Sequence, residues 1–314
     1  MKPVLVLALN PSIDAEWRVD ELRREEKNTV VSERRWAGGK CVNVARWLAR
    51  LGVPGRLLLP LGGATGAELA GHLRSERLPF TPVEITEPTR VNVVVTAAAG
   101  GQMRFNPRGP RLSPAEWDRL RRRMEGTRMR NGLQVLTGAL PRGAATGTYA
   151  RLIQAAHRRG VRTLLDCDGP ALAAGVRARP FLVKPNTHEL GLWVGRRLPS
   201  SRAILRAARA MSTATGGWVL VSRGGEGALL VHAHTDRAFQ AQAPAGPVRN
   251  TVGAGDALLA AVAAQMVRGG EPQDWLRWGV AVGSAATRQP AGELPSRACV
   301  RESWQRVRVT GVAE

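Results

Sequence analysis

Asp256 follows Gly253, Ala254 and Gly255 and opens the apolar run from Ala257 to Ala261. The run continues with strong helix formers and no Pro or Gly, so it reads as a helix. The glycines let the backbone turn tightly and let a ligand come close. A helix start presents free N–H groups and a partial positive charge, which suits an anion such as phosphate. Asp256 there is either a helix cap, since Asp is favoured at such positions, or a carboxylate placed beside a bound anion. These nine residues do not choose between the two.

The elements around this loop set the context. Val4–Leu9 reads as a compact buried strand, Gly38–Gly52 as a glycine turn feeding a helix, and residues 56–61 as a second apolar strand. Strand and helix alternate again through residues 133–138, 146–159, 161–169, 181–186, 201–214 and 218–224. That alternation predicts an α/β fold with a mainly parallel sheet. In such sheets ligands collect beyond the carboxyl ends of the strands, where Thr137-Gly138, Asp166–Gly169, Lys184–Asn186 and Ser222–Gly224 all fall. Residues 16–34 are charged and extended instead. Residues 89–106 read as a hairpin turning at Gly100-Gly101. Together they predict a small sheet apart from the main core.

Composition narrows the field. A chain of 314 residues with 44% hydrophobic content is globular, and no apolar run is long enough to span a membrane. Cys41, Cys167 and Cys299 are odd in number and widely spaced, which fits a reducing cytosol and no disulfide framework. The net charge of +21 raises nucleic acid as a partner. The basic residues are spread over the whole chain, with few aromatics among them and no nucleic-acid motif. Only four are lysines, the rest arginines. The charge therefore reads as arginine-rich surface composition, with no specific nucleic-acid partner expected.

Six motifs then occur in order: Asn10–Asp14 (NPSID), Gly38–Arg46 (GGKCVNVAR), Thr137–Gly143, Lys184–Leu190 (KPNTHEL), Ser222–Leu230 and Asn250–Ala260. This set resembles the ribokinase-like (PfkB) sugar kinases, most closely the branch holding 1-phosphofructokinase and tagatose-6-phosphate kinase. The resemblance implies a three-layer α/β/α domain, residues 1–14, 32–88 and 108–314. It also implies a small β-lid, residues 15–31 and 89–107, that closes over the sugar and pairs with a second subunit's lid. It implies ATP and Mg²⁺ as cofactors and a sugar phosphate as acceptor. Asp256 would be the catalytic base, and Gly253, Ala254 and Gly255 the anion hole for the transferred phosphoryl group. Phosphoryl transfer needs positioning and charge stabilisation more than covalent help, and backbone donors aimed at developing charge supply it.

By the same resemblance Asp14 would end the first strand and hold sugar hydroxyls, with Gly38 and Gly39 bringing backbone N–H groups to the sugar. Lys40 and Asn43 would bind its polar groups or phosphate, and Arg90 the phosphate it already carries. Lys184, Asn186, Ser222, Gly224, Gly227 and Ser284 would line the nucleotide site, with Asn186 and Glu189 ordering Mg²⁺. Cys41 replaces a usual glycine, Ala139 a usual serine, and Arg108 a usual acid; Arg223 and Gly225 also depart from the pattern. The expected reaction is conversion of fructose 1-phosphate to fructose 1,6-bisphosphate in the cytoplasm. Tagatose 6-phosphate, fructose 6-phosphate, another sugar or a nucleoside are the competing acceptors. A non-catalytic sugar-phosphate or nucleic-acid binder is the competing class.

Overall fold

The protein is described by a computed structural model covering residues 3–312, save 128, 130 and 291. Fourteen strands form two sheets among the described residues. In chain order they are β1 (Val4–Leu7), β2 (Ser12–Val19), β3 (Ser32–Gly38), β4 (Gly55–Leu61), β5 (Phe80–Glu84), β6 (Arg90–Ala97), β7 (Gln102–Phe105), β8 (Leu133–Thr137), β9 (Arg162–Asp166), β10 (Leu182–Val183), β11 (Trp218–Ser222), β12 (Ala228–His232), β13 (Arg237–Ala241) and β14 (Val309–Gly311). The helices are α1 (Lys40–Arg50), α2 (Gly63–Ser75), α3 (Pro114–Gly126), α4 (Thr148–His157), α5 (Gly169–Arg177), α6 (Thr187–Trp193), α7 (Ser201–Thr215), α8 (Ala254–Arg268), α9 (Pro272–Ala286) and α10 (Arg297–Arg306).

The larger sheet runs β14-β13-β12-β11-β10-β9-β8-β1-β4-β5. Its strands from β5 to β11 are parallel, and β12, β13 and β14 add antiparallel at one edge. Side chains alternate between its faces, as pleating requires. Val4 and Val6 pack into one core with α1, α2, α8, α9 and α10, while Leu5 and Leu7 pack into the other with α3 to α7. Burial on both faces explains why these strands read as continuous apolar runs. The expected three-layer α/β/α order is therefore present.

β1 lies between β4 and β8, so successive crossovers leave it in opposite directions. Such a switch point opens a crevice at the strands' carboxyl ends.

The smaller sheet runs β3-β2-β6-β7 and encloses its own minor core of Val19, Val95 and Ala97. β6 and β7 form the expected hairpin around Gly100-Gly101. The sheet reaches further than residues 15–31 and 89–107, because Ser12–Asp14 and Ser32–Gly38 are strands of it. Asp14 accordingly does not end the first strand. β1 stops at Leu7, the chain turns through Asn10-Pro11, and Asp14 is the third residue of β2 in the other sheet. Pro11 has no N–H to continue a ladder, which fits a change of sheet there.

Candidate active site

Asp256 stands in the first turn of α8, whose N-cap is Gly253 at φ 81°. That left-handed conformation suits glycine. The capping alternative for Asp256 finds no support, because α8 has no side-chain cap hydrogen bond. Its carboxylate Oδ2 accepts a hydrogen bond from Asn43 Nδ2 at 2.8 Å. Asp256 is 5% exposed. Burial and the neighbouring Asp166 charge push its carboxyl up to about 7, against the opposing pull of Asn43, Lys40 and Lys184. A carboxyl titrating near neutrality is suited to general-base work.

The loop carrying Asp256 separates two clefts. Asn250, Val252 and Gly253 line one, together with Asp14, Asn43 and Trp36. Thr251, Ala254, Gly255 and Leu258 line the other, together with Asn186, Ser222, Gly224, Gly227 and Ser284. Of the residues expected around the sugar, Asp14 and Asn43 line the first cleft, and of those expected around ATP, Asn186, Ser222, Gly224, Gly227 and Ser284 line the second. The first-turn N–H groups of α8 have no intrahelical acceptors and lie where the clefts meet.

On the acceptor side, Asp14 Oδ1 accepts from Ser12 Oγ at 2.8 Å and Asn92 Nδ2 at 2.9 Å. Gly38 lies beneath it, so close that a Cβ there would be 2.1 Å from Asp14 Cγ. Trp36 pairs with Asp14 across β2 and β3 and packs against Gly292. Glu293 completes this wall. Arg46 also lines the cleft, with its guanidinium forked onto Glu76.

Two expected acceptor contacts are already occupied. Lys40 Nζ donates to Asp166 Oδ1 at 3.0 Å, at the carboxyl end of β9. Burial alone would favour its neutral form; the charges of Asp166 and Asp256 outweigh this and hold it as ammonium. Arg90 donates to the carbonyls of Pro107 at 2.9 Å and Asn10 at 3.0 Å. It thus fastens the two segments by which the chain enters and leaves the smaller sheet, with Nε buried and unpartnered.

Asp166 is the main site residue that sequence reasoning missed. It ends β9, is 1% exposed, and takes ion pairs from Lys40 and, at 3.3 Å, from Lys184. Burial opposes its charge, yet the two ammonium groups hold its carboxyl below the usual range. The signal available was only its place at a strand end in LLDCDG.

On the nucleotide side, Asn186 caps α6. Its Oδ1 accepts from Glu189 N, and Glu189 Oε2 accepts from Asn186 N, both at 2.8 Å. These two side chains are thus partly committed to each other. Asp166 Oδ2, by contrast, is buried with no partner. An orphaned carboxylate oxygen beside two ammonium groups fits the oxygen-donor chemistry of Mg²⁺, which uses few carboxylates and keeps waters. No group of three or more His, Cys, Asp and Glu that could hold a metal ion gathers among the described residues, this site included. Gly227 shapes the floor of the groove, since a Cβ there would meet Ala241 O at 2.0 Å.

A switch-point crevice with a helix start flanked by two clefts suits an α/β protein that handles an anionic group between two ligands. The chain belongs to the pfkB family of carbohydrate kinases, whose profile matches residues 4–299. It is 32% identical to the ATP-dependent 6-phosphofructokinase isozyme 2 of Escherichia coli K12 over 98% of both chains. It is 30% identical to the 1-phosphofructokinase of Bacillus subtilis 168, covering 98% of this chain and 99% of the relative. Phosphofructokinase-2 from Escherichia coli, solved in complex with fructose-6-phosphate, superposes with a TM-score of 0.90 at 31% identity, over 97% of this chain and 99% of the other. The ribokinase-like fold and the assignment as a kinase acting on a sugar hydroxyl follow. No described helix is long and apolar enough to cross a membrane.

Proposed function

We propose that this kinase transfers the γ-phosphoryl group of Mg·ATP to a hydroxyl of a phosphorylated ketohexose, with fructose 1-phosphate converted to fructose 1,6-bisphosphate. The observation that carries the reading is Asp256, buried on the turn that divides the two clefts. A sugar held by Asp14 and the backbone at Gly38-Gly39 presents its hydroxyl to Asp256. Asp256 accepts the proton as the oxygen attacks phosphorus and ADP departs. The N–H groups of Gly255 and Asp256 face the charge that develops on the transferred group. Asp166 Oδ2, with Glu189 and Asn186, would hold Mg²⁺, which when bound neutralises phosphate charge. Arg90, close enough to Asp14 to feel its charge, is the cation for the acceptor's own phosphate.

Fructose 6-phosphate is the second reading, favoured by the ligand of the solved relative. The reducing cytosol is the proposed setting, consistent with Cys41, Cys167 and Cys299 all being free. A second copy is the proposed partner for the smaller sheet, which exposes Val31, Met103 and Phe105 in and beside its strands. The deciding experiment is ADP release with fructose 1-phosphate, fructose 6-phosphate, tagatose 6-phosphate, fructose and ribose. A clear preference for fructose 1-phosphate is expected. Best turnover with fructose or ribose overturns the sugar-phosphate reading, and no turnover with any acceptor overturns the kinase reading for this chain.

A further inference from the structure

Asn43 was expected to touch the sugar. Its side chain does line the acceptor cleft, yet its hydrogen bond goes elsewhere. Nδ2 donates to Asp256 Oδ2 at 2.8 Å, joining α1 to α8 across 213 residues of chain. An ionised carboxylate only accepts hydrogen bonds, so the amide must turn its NH₂ towards Asp256. Gly253 lies against this contact. A Cβ on it would sit 3.4 Å from Asn43 Nδ2 and 3.9 Å from Asp256 Oδ2, at a φ of 81° that side chains avoid. Asn43, Gly253 and Asp256 form one packed unit.

We infer that Asn43 is a positioning residue for the catalytic base: it clamps Oδ2 of Asp256, so that Oδ1 is the oxygen that takes the acceptor's proton. The inference rests on Asp256 being the base. The acceptor O–H bond breaks and its proton passes to Oδ1. The acceptor's oxygen forms the new bond to the γ-phosphorus as the bond to ADP breaks. With Oδ2 held, rotation about the Cβ–Cγ bond is restricted, and Oδ1 is the oxygen left to accept the proton. The amide also stabilises the ionised form, in which the base is active. The other groups bearing on Asp256 are Lys40 from α1, Lys184 after β10 and Asp166 at the end of β9. The lysines act with Asn43 and Asp166 acts against it.

The test is the pH profile of kcat for Asn43→Ala and Asn43→Ser, with circular dichroism and nucleotide binding as controls on the fold. The acid limb should move up by about one pH unit, a tenfold change in the ionisation constant. Activity should therefore fall about tenfold more at pH 6 than at pH 9. The loss should appear in kcat, with Asn43→Ser falling less than Asn43→Ala. A raised KM for the acceptor with an unmoved acid limb overturns the inference and returns Asn43 to sugar binding. If Ala at this site does not fold, the Ser variant alone carries the same readout. Asp256→Asn separates the two levels. If it turns over within threefold of wild type, the base assignment itself falls. If it is inactive while the Asn43 variants keep the wild-type limb, only the present inference falls.

Discussion

Lys184 Nζ is ion-paired with Asp166 Oδ1 at 3.3 Å, and the two side chains are 5% and 1% exposed. Such a pair adds little beyond an apolar replacement of the whole, but breaking it by removing one partner is severe. Lys184→Met should therefore cost about 3–5 kcal/mol of stability, softened to the extent that Lys40 holds Asp166 alone. Urea melts measure it. A loss under about 1 kcal/mol would show that Asp166 is hydrated or protonated in the folded chain.

Asp256 carries an opposite signature. Its folded-state carboxyl is raised to about 7, above the ordinary value of 3.8. Its contribution is fully present below the unfolded value and is lost as pH rises through the folded one. Above pH 7 the native state must bury a charge, at a cost on the order of 4 kcal/mol. Asp256→Asn should therefore be inactive, losing about 10²–10⁴ in rate, yet melt at a higher temperature than wild type at pH 8 and at a similar one at pH 4. Equal melting temperatures at pH 8 would contradict the raised carboxyl.

Gly38 and Asp14 leave no room for a methyl group, as the 2.1 Å approach shows. Gly38→Ala should displace the Asp14 carboxylate and raise the acceptor KM by at least tenfold, while the KM for ATP stays within about twofold. Equal effects on both substrates would point to general distortion of the smaller sheet.

Arg90→Ala tests two roles at once. A charge-assisted contact to the acceptor phosphate is worth roughly 1.5–3 kcal/mol, so KM for the sugar phosphate should rise about 10- to 150-fold with little change for ATP. An unphosphorylated sugar, a poor substrate to begin with, should be handled no worse. Equal losses on both acceptors would mean that Arg90 serves only to fasten Asn10 and Pro107.

The net charge of +21 predicts DNA binding that is weak, indifferent to sequence and steeply salt-dependent. Gel shifts at two salt concentrations suffice. Tight, sequence-selective binding at physiological salt would restore nucleic acid as a partner.

The parts of this protein legible in its sequence are those governed by local rules. Val4–Leu9 read as a buried strand, of which Val4–Leu7 is β1, because both faces are covered, and the start of α8 was marked by the glycines that precede it. Lys40 shows where local reading stops. Its lysine identity was notable in an arginine-rich chain, but its partner lies 126 residues away. Asp166 had no neighbouring motif to mark it, because the two ammonium groups that define it arrive from other elements. Asp14 was assigned to the wrong sheet for a related reason. Only Asn10 and Pro11 separate Leu9 from the first residue of β2, Ser12, and nothing in them says that the next strand pairs elsewhere.

The placement of Asp14 carries a thermodynamic consequence. It is rooted in the four-stranded sheet, whereas Asn43 and Asp256 belong to helices on the ten-stranded one. On the proposed binding of the acceptor by Asp14 and Asp256, it would be gripped from two sheets joined at Asn10, Gly38, Thr89 and Pro107. Whatever free energy is needed to bring those sheets into register is subtracted from the intrinsic grip of each. A substitution at these joints can thus weaken or strengthen apparent acceptor affinity without touching the sugar, and its effect will scale every acceptor by the same factor.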